Sequence, residues 1–111
     1  MTTKSEVMHG TLDLLVLRTL DALGPQHGYA IAHRIGQVSR DVLRLNQGTL
    51  YPAMLRLENA GWIRSKWGTT ENNRKARYYS ITGSGRKRLQ REAQDWAQMA
   101  DIIKRVLEGA F

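Results

Sequence analysis

The sequence predicts a mainly α-helical chain of the α+β class, with four helices and one β-hairpin. Apolar residues recur every three or four positions up to Gly61 and again after Thr82, which is the spacing of amphipathic helices. Between these two points the apolar residues alternate with polar ones, which is typical of strands. A length of 111 residues suits one domain around a single small core.

The first two predicted helices are separated by a clear stop signal. Leucines and a valine recur at helical spacing across Thr11–Leu23, and Gly24-Pro25 ends that helix. The second helix covers about His27–Ser39, with its branched apolar residues on one face. His27 opens this helix, so we expect it to cap or pack there rather than to bind a metal.

The third predicted helix runs from roughly Gly48 to Asn59. Pro52 favours a start near Gly48–Thr49, because proline is tolerated in the first turn, and Thr49 can cap the helix. Gln47 and Arg56 then lie off its apolar face.

A hairpin and a long helix complete the prediction. Trp62–Trp67 and Lys75–Ile81 alternate as antiparallel strands, joined by the polar connection Gly68–Arg74. A two-stranded hairpin is marginal alone, so we expect it to lean on the helices. Thr82 is predicted to cap the last helix, whose first turn contains Gly83 and Gly85 as flexible positions.

The last helix carries a coiled-coil seam with residues spaced four and three apart: Leu89, Ala93, Trp96, Ala100, Ile103 and Leu107. A helix of about 27 residues is ~40 Å long, which exceeds what a core this small can cover. The seam could pack only on the chain's own first helix. A second apolar stripe beside it favours self-association instead.

The positive charge of the chain is concentrated in one segment. Arg64–Arg91 holds nine basic residues and one acidic residue, within a chain of net charge +7. This segment predicts a polyanion as partner, although a solvated basic face that only aids solubility is the alternative.

Composition excludes several classes of protein. The lack of cysteine rules out a disulfide scaffold, a Cys-ligated zinc finger and thiol catalysis. No apolar run is long enough for a membrane span, and Met1–Gly10 has no signal-peptide core, so we expect a cytoplasmic protein. The acids and histidines form no catalytic or metal-binding pattern, so neither an enzyme, a metal nor a cofactor is expected.

The order of elements is that of a winged helix-turn-helix with a two-stranded wing and a long C-terminal dimerisation helix. We place the DNA-binding domain at residues 1–81 and the dimerisation helix at 82–111. A single helix fits the major groove of double-stranded DNA, while a basic hairpin beside it reaches the backbone. The candidate DNA-binding residues are Gln47, Thr49, Tyr51 and Arg56 on the helix, and Arg74, Lys75 and Arg77 on the hairpin.

Three stretches of the sequence resemble the PadR family of transcriptional regulators. They are Gly10–Asp13 with Gly24–Ile31, then Asn46–Ala53 with Gly61–Ile63, and Arg77–Arg86. The resemblance covers about residues 8–95 and is greatest to the short members, which carry a single C-terminal helix. The wing residues Trp67–Arg74 are similar to those of members common in acidobacteria.

The resemblance implies a homodimeric repressor on a palindromic operator, bound to the nucleoid, with the last helix packed against the partner subunit. It implies that Tyr51 touches the DNA backbone. Some short members bind flat aromatic compounds through an aromatic residue on the last helix, a position that Trp96 occupies here. The alternative is that Trp96 binds no ligand and only packs in the core of the dimer interface. Two other hypotheses remain open: an RNA-binding or structural nucleic-acid-binding protein that uses the same hairpin, and a winged helix that binds only proteins.

Overall fold

In a computed structural model, residues 4–109 are described and form four helices and three strands. The helices are α1 (Lys4–Leu23), α2 (Gly28–Val38), α3 (Gln47–Asn59) and α4 (Gly83–Leu107). The strands are β1 (Gln26–His27), β2 (Ile63–Thr69) and β3 (Lys75–Ile81), in an antiparallel sheet of order β1-β3-β2. This confirms the predicted α+β class and the long last helix. Residues 1–3 and 110–111 of the predicted domain limits lie outside the described residues.

The sheet has one more strand than the predicted two-stranded hairpin. Gln26 pairs with Tyr79 and His27 pairs with Tyr78, so the short segment after α1 adds β1 to the free edge of β3. Two residues are too few to show an alternating pattern, which is why the sequence did not indicate this strand. The wing strand β2 also continues to Thr69, which shortens the predicted connection at Gly68–Arg74.

The helix α3 begins close to where it was predicted, but a different residue caps it. Asn46 is the N-cap, and its Oδ1 accepts a hydrogen bond from the backbone N–H of Thr49 at 2.9 Å. Thr49 is therefore the recipient of the cap and not the cap itself. Pro52 lies beyond the first turn, inside the helix. Proline's preference for the first turn was outweighed by the strong capping geometry that an asparagine offers.

The core lies between α1, α2, α3 and the sheet. Two isoleucines anchor the wing to it, since Ile63 on β2 and Ile81 on β3 are paired in register and buried. Tyr79 is buried on the same face, while Tyr78 on the other face is only partly covered. The remaining core side chains come from the helices: Leu12, Val16, Leu17, Leu20, Ile31, Ile35, Leu50, Ala53, Met54, Leu57 and Leu89.

Thr82 caps α4 as predicted, and it also ties the helix to the end of α3. Its Oγ1 accepts from the backbone N–H of Gly85 at 3.0 Å and donates to the carbonyl of Gly61 at 2.7 Å. Gly85 is not a flexible position, contrary to the prediction. A Cβ at Gly85 would lie 2.0 Å from the carbonyl oxygen of Trp62, so the first turn of α4 is packed directly on backbone.

The two ends of α4 have different environments. Leu89 is 7 % exposed and belongs to the chain's own core, so this part of the predicted seam packs within the chain. From Ala93 to Gly109 every residue of the chain is exposed. The molecule is accordingly elongated, with extents of 58 × 29 × 25 Å. None of the described helices is long and apolar enough to cross a membrane.

Candidate nucleic-acid interface

An open cleft of about 470 Å³ lies between the start of α2, the N-terminal end of α3 and the wing formed by β2 and β3. It brings together four of the residues singled out from the sequence, namely Gln47, Tyr51, Lys75 and Arg77. Residues from helix and hairpin therefore share one surface, which we call the wing cleft.

The helix side of the wing cleft is the first turns of α3. Gln47 and Tyr51 line the cleft, and Tyr51 is 54 % exposed. Thr49 is exposed but lies outside the lining. The cap by Asn46 fixes where the helix begins and therefore which side chains stand at its end. Backbone N–H groups and the positive end of the helix dipole at such a terminus favour phosphate.

The wing side presents cations on the face turned toward α3. The register pairs Trp67 with Arg77 and Thr69 with Lys75. These pairs lie two and four residues along the strands from the pair of Ser65 with the buried Tyr79. Since alternate residues of a strand share a face, Lys75 and Arg77 lie on the side of the sheet that covers α3. The guanidinium of Arg77 lies over the ring of Trp67, 5.7 Å from its centroid.

Arg74 lies in the turn at the tip of the wing and outside the lining of the wing cleft. Asn73 just before it has a φ of 60°, the left-handed conformation that asparagine tolerates. The backbone N–H of Thr70 donates to the carbonyl of Arg74 at 2.8 Å, which closes the turn. The side chain of Arg74 is thereby exposed at the end of the hairpin.

Arg56 is the one candidate on α3 whose side chain is turned away from the wing cleft toward α1. Its Nη2 donates to Oδ1 of Asp13 on α1 at 2.7 Å, in a half-buried ion pair. The pair spans two helices that pack in the core, so it helps to set the orientation of α3 relative to α1.

Sequence reasoning missed two aromatic residues of this surface. Tyr29 and Trp67 line the wing cleft with exposures of 70 % and 67 %. The ring of Tyr29 stacks with His27 and His33, at centroid distances of 6.4 and 6.3 Å. An aromatic residue on the polar face of α2 was the signal that could have identified Tyr29. His27 caps α2 as expected, since its Nδ1 accepts from the N–H of Ala30 at 3.2 Å.

A buried tyrosine connects the helix and wing sides of the surface. Burial raises the pKa of the Tyr79 phenol above its ordinary value of 10.0, and the nearby Tyr51 and Glu58 act in the same direction while Arg77 opposes them. Glu58 is held against the sheet by the hydroxyl of Ser65, which donates to its Oε2 at 2.6 Å. Tyr79 is therefore a neutral packing residue between α3 and the sheet.

No three histidine, aspartate or glutamate side chains in the described part of the chain are grouped so that they could hold a metal ion. The site offers instead an exposed helix end, exposed rings and guanidinium and ammonium groups. These are the groups that contact the bases and phosphates of nucleic acids.

Comparison with known proteins agrees with this arrangement. Residues 16–91 match the model of the "Transcriptional regulator PadR-like family". A transcriptional regulator from Clostridium thermocellum is 30 % identical, with a TM-score of 0.81 over 90 % of this chain and 96 % of its own. A PadR family transcriptional regulator from Eggerthella lenta is 31 % identical, with a TM-score of 0.79 over 94 % of this chain and 88 % of its own.

A protein of Lysinibacillus sphaericus is 29 % identical over 106 residues, which is 96 % of either chain. PadR-like regulators are DNA-binding proteins without enzymatic activity, so the family match confirms both the resemblance seen in the sequence and the expectation that the chain is not an enzyme. On this evidence the chain belongs to the PadR-like family of transcriptional regulators.

Proposed function

We propose that the chain is a homodimeric repressor that places α3 in the major groove of a palindromic operator and the wing on the flanking backbone. The observation that carries this proposal is the wing cleft, where the exposed start of α3 and the cations of β3 share one surface. A recognition helix next to a basic hairpin can read base edges and hold phosphates at the same time.

In this proposal the helix supplies sequence choice and the wing supplies affinity. Gln47 and Thr49 are exposed on the first turn of α3, and a glutamine can pair with both hydrogen-bonding groups of an adenine edge. The phenol of Tyr51 would donate to a backbone phosphate. Arg74, Lys75 and Arg77 would neutralise phosphates, and this contribution is independent of sequence.

Arg56 contributes to the proposed function through its ion pair. Because Asp13 already holds its guanidinium, we assign Arg56 the role of orienting α3 rather than reaching a base while that pair is intact. Any DNA contact by Arg56 would require the pair with Asp13 to open.

The far half of α4 supports the proposed homodimer, with residues 1–81 binding DNA and residues 82–111 joining the subunits. Its apolar residues form a stripe that no other part of the described chain covers, and contiguous exposed apolar surface of this kind marks interaction sites. The stripe consists of Trp96, Met99, Ile102, Ile103, Val106 and Leu107, with exposures between 44 % and 80 %. Two such helices packed together would bury it on both subunits.

The operator is tested by selecting bound duplexes from a random pool. We expect inverted half-sites whose centres lie about 34 Å apart, one helical turn, as a two-fold dimer requires. Tighter binding to structured RNA than to any selected duplex would overturn the proposal in favour of an RNA-binding protein. Repression is tested by placing the selected site across a promoter and measuring transcription, where an increase on binding would contradict it.

The phosphate role of the wing is tested with Lys75→Ala and Arg77→Ala. Each change should weaken binding to all duplexes alike and reduce the slope of log K against log salt by about one. The control is Arg18→Ala, which removes an exposed cation of α1 outside the wing cleft. A loss confined to one operator sequence would contradict a phosphate contact.

The dimer is tested with Ile103→Asp, which puts a charge in the apolar stripe and should give monomers in light scattering. Gln98→Asp is the control, because helical spacing puts position 98 outside the stripe. A dimer that survives Ile103→Asp unchanged would refute the role of α4.

Release of the repressor by a small flat aromatic ligand is the last part of the proposal. It is supported by the 44 % exposure of Trp96 in the middle of the stripe. A ligand there should quench the tryptophan fluorescence of the wild type, and the quenching should fall in Trp96→Leu. Equal quenching in both proteins would exclude Trp96 as the ligand contact.

A further inference from the structure

A second cavity lies on the side of the molecule formed by α1, α2 and the loop after α2. Its volume is about 260 Å³, slightly smaller than the roughly 300–1,000 Å³ of sites for drug-sized ligands, which suits a smaller molecule. Its apolar lining is aliphatic, from Leu15, Ala22 and Leu23 on α1, Ile35 and Val38 on α2, and Leu43 in the loop. The residues of the wing cleft are absent from this lining.

The hydroxyl groups in this cavity are already used by the backbone. The Thr19 hydroxyl donates to the carbonyl of Leu15 at 2.7 Å. The Ser39 hydroxyl donates to the carbonyl of Gly36 and accepts from the N–H of Leu43 at 3.0 Å. The interior therefore offers an incoming molecule an apolar surface rather than hydrogen-bonding partners.

The mouth of the cavity is cationic. Arg18 and Arg34 line it, and no carboxylate is among the lining residues. Arg34 donates to the neutral amide of Gln37. Arg18 is 3.5 Å from the carboxylate of Asp21, which also accepts from Arg86 at 3.2 Å, so a single acid is shared between two arginines. The two guanidiniums at the mouth are thus incompletely neutralised.

We propose that this cavity binds an amphipathic monoanion, an aliphatic carboxylate whose chain enters the apolar interior and whose head group meets Arg18 and Arg34. An aliphatic wall without aromatic rings suits a flexible alkyl chain. A guanidinium recognises a carboxylate with two parallel charge-assisted hydrogen bonds, which gives a preference for anions over neutral analogues.

The same cavity borders the segment that positions α3, and this step rests on the proposed DNA-binding function. Ser39 and Leu43 belong to the loop from α2 to α3, which turns through two residues of positive φ, Arg40 and Asp41. The loop ends at Asn46, the cap of α3. The alkyl chain of the ligand, inserted against Leu43, displaces this loop outward, so the ligand lowers the affinity of α3 for its operator. By linkage, bound DNA lowers the affinity for the ligand by the same factor.

Ligand binding is measured first on the free full chain, without DNA, by titration calorimetry and amide chemical shifts. Octanoate should bind saturably and shift the amides of Thr19 and Ser39. Octan-1-ol, which lacks the charge, and butyrate, which lacks the chain, should each bind at least roughly ten-fold more weakly, the equivalent of about 1.4 kcal/mol. Equal binding of octanol, or no saturable shift at these amides, would overturn the proposal.

Two variants locate the binding site. Ala22→Phe places a ring in the cavity from an exposed helix position and should abolish octanoate binding while the protein keeps its thermal transition. Arg34→Gln should weaken octanoate to the level of octanol, and Arg91→Gln, an exposed cation of α4, should not. Octanoate binding that survives Ala22→Phe and shifts the residues around Trp96 would show that the ligand occupies the α4 stripe instead.

The coupling to DNA is measured with a selected duplex by fluorescence anisotropy, with and without saturating octanoate. We expect a weaker operator complex for the wild type and no change for Ala22→Phe. Saturable octanoate binding without any effect on the duplex would overturn the regulatory step alone. Failure to bind any duplex would reject the proposed function and leave the calorimetric result on the free chain standing.

Discussion

Replacing Gly85 by alanine tests how closely α4 packs on the rest of the chain. The added Cβ would lie 2.0 Å from the carbonyl oxygen of Trp62 and 2.8 Å from Cγ1 of Ile81. Even a weak C–H···O contact keeps carbon and oxygen about 3.3 Å apart, so helix and strand must separate by more than about 1 Å. The atom in the way is backbone, which cannot rotate aside as a side chain would.

The cost has two parts. Forcing a methyl group into a packed site costs about 1–3 kcal/mol. The carbonyl of Trp62 also accepts from the N–H of Thr82 at 3.0 Å, and moving it endangers that bond, which is worth about 1 kcal/mol. We therefore expect the free energy of unfolding to fall by about 2–4 kcal/mol, and Tm by roughly 10–25 °C for a domain of this size.

The assay is thermal unfolding followed by circular dichroism at one fixed protomer concentration, because the Tm of a dimer depends on concentration. Gly83→Ala is the matched control, since it lies in the same helical turn and nothing lies within 4 Å of its added Cβ. Alanine is the better helix former by about 1 kcal/mol, so this variant should be as stable as the wild type or more so. Equal Tm values for the two variants would refute the packing argument.

Three further substitutions test the caps of α4 and α3 and the pKa of the buried tyrosine. Thr82→Ala should lower the free energy of unfolding by about 1–2 kcal/mol and Thr82→Ser by much less, because the cap hydroxyl serves both Gly85 and Gly61; equal losses on chemical denaturation would contradict this. Asn46→Ala should cost about 1 kcal/mol, with Asn46→Asp as the cap-retaining control, and amide exchange in the first turn of α3 should rise only in the alanine variant. Tyr79 has a folded-state pKa above its unfolded value, so its contribution to stability is complete below pH 10 and lost at higher pH; Tyr79→Phe should flatten that alkaline decline in urea midpoints, and an unchanged slope would contradict the raised pKa.

Local sequence patterns predicted most of the helices and the two wing strands because each rests on contacts between residues close in the chain. The strand Lys75–Ile81 and the cap at Thr82 have the bounds that the alternation and the hydroxyl residue predicted. The predicted cap of α3 was wrong because two local signals competed, a proline that prefers the first turn and an asparagine, Asn46, that caps the helix three positions before Thr49. When a proline and a capping residue lie within a few positions of each other, local rules do not tell which of the two sets the start of the helix.

The candidate site was predicted in part. Gln47, Tyr51, Lys75 and Arg77 stood out by residue type, and the structure gathers them in the wing cleft. Arg56 has the same chemistry, but its partner Asp13 lies 43 positions earlier in the chain. A pairing across that distance depends on how α1 crosses α3, which no spacing in the sequence records.

The amino-acid sequence by itself determined the order of the four helices and the hairpin, the basic segment Arg64–Arg91 and the motifs of the family. These are properties of composition and local periodicity, which need no knowledge of the neighbours in space. The tertiary structure alone decided that β1 pairs with β3, that Gly85 is packed on the carbonyl of Trp62, and that an aliphatic cavity lies beneath two arginines. Each of these depends on close approach between segments distant in the chain, and such distances are set only when the whole core packs.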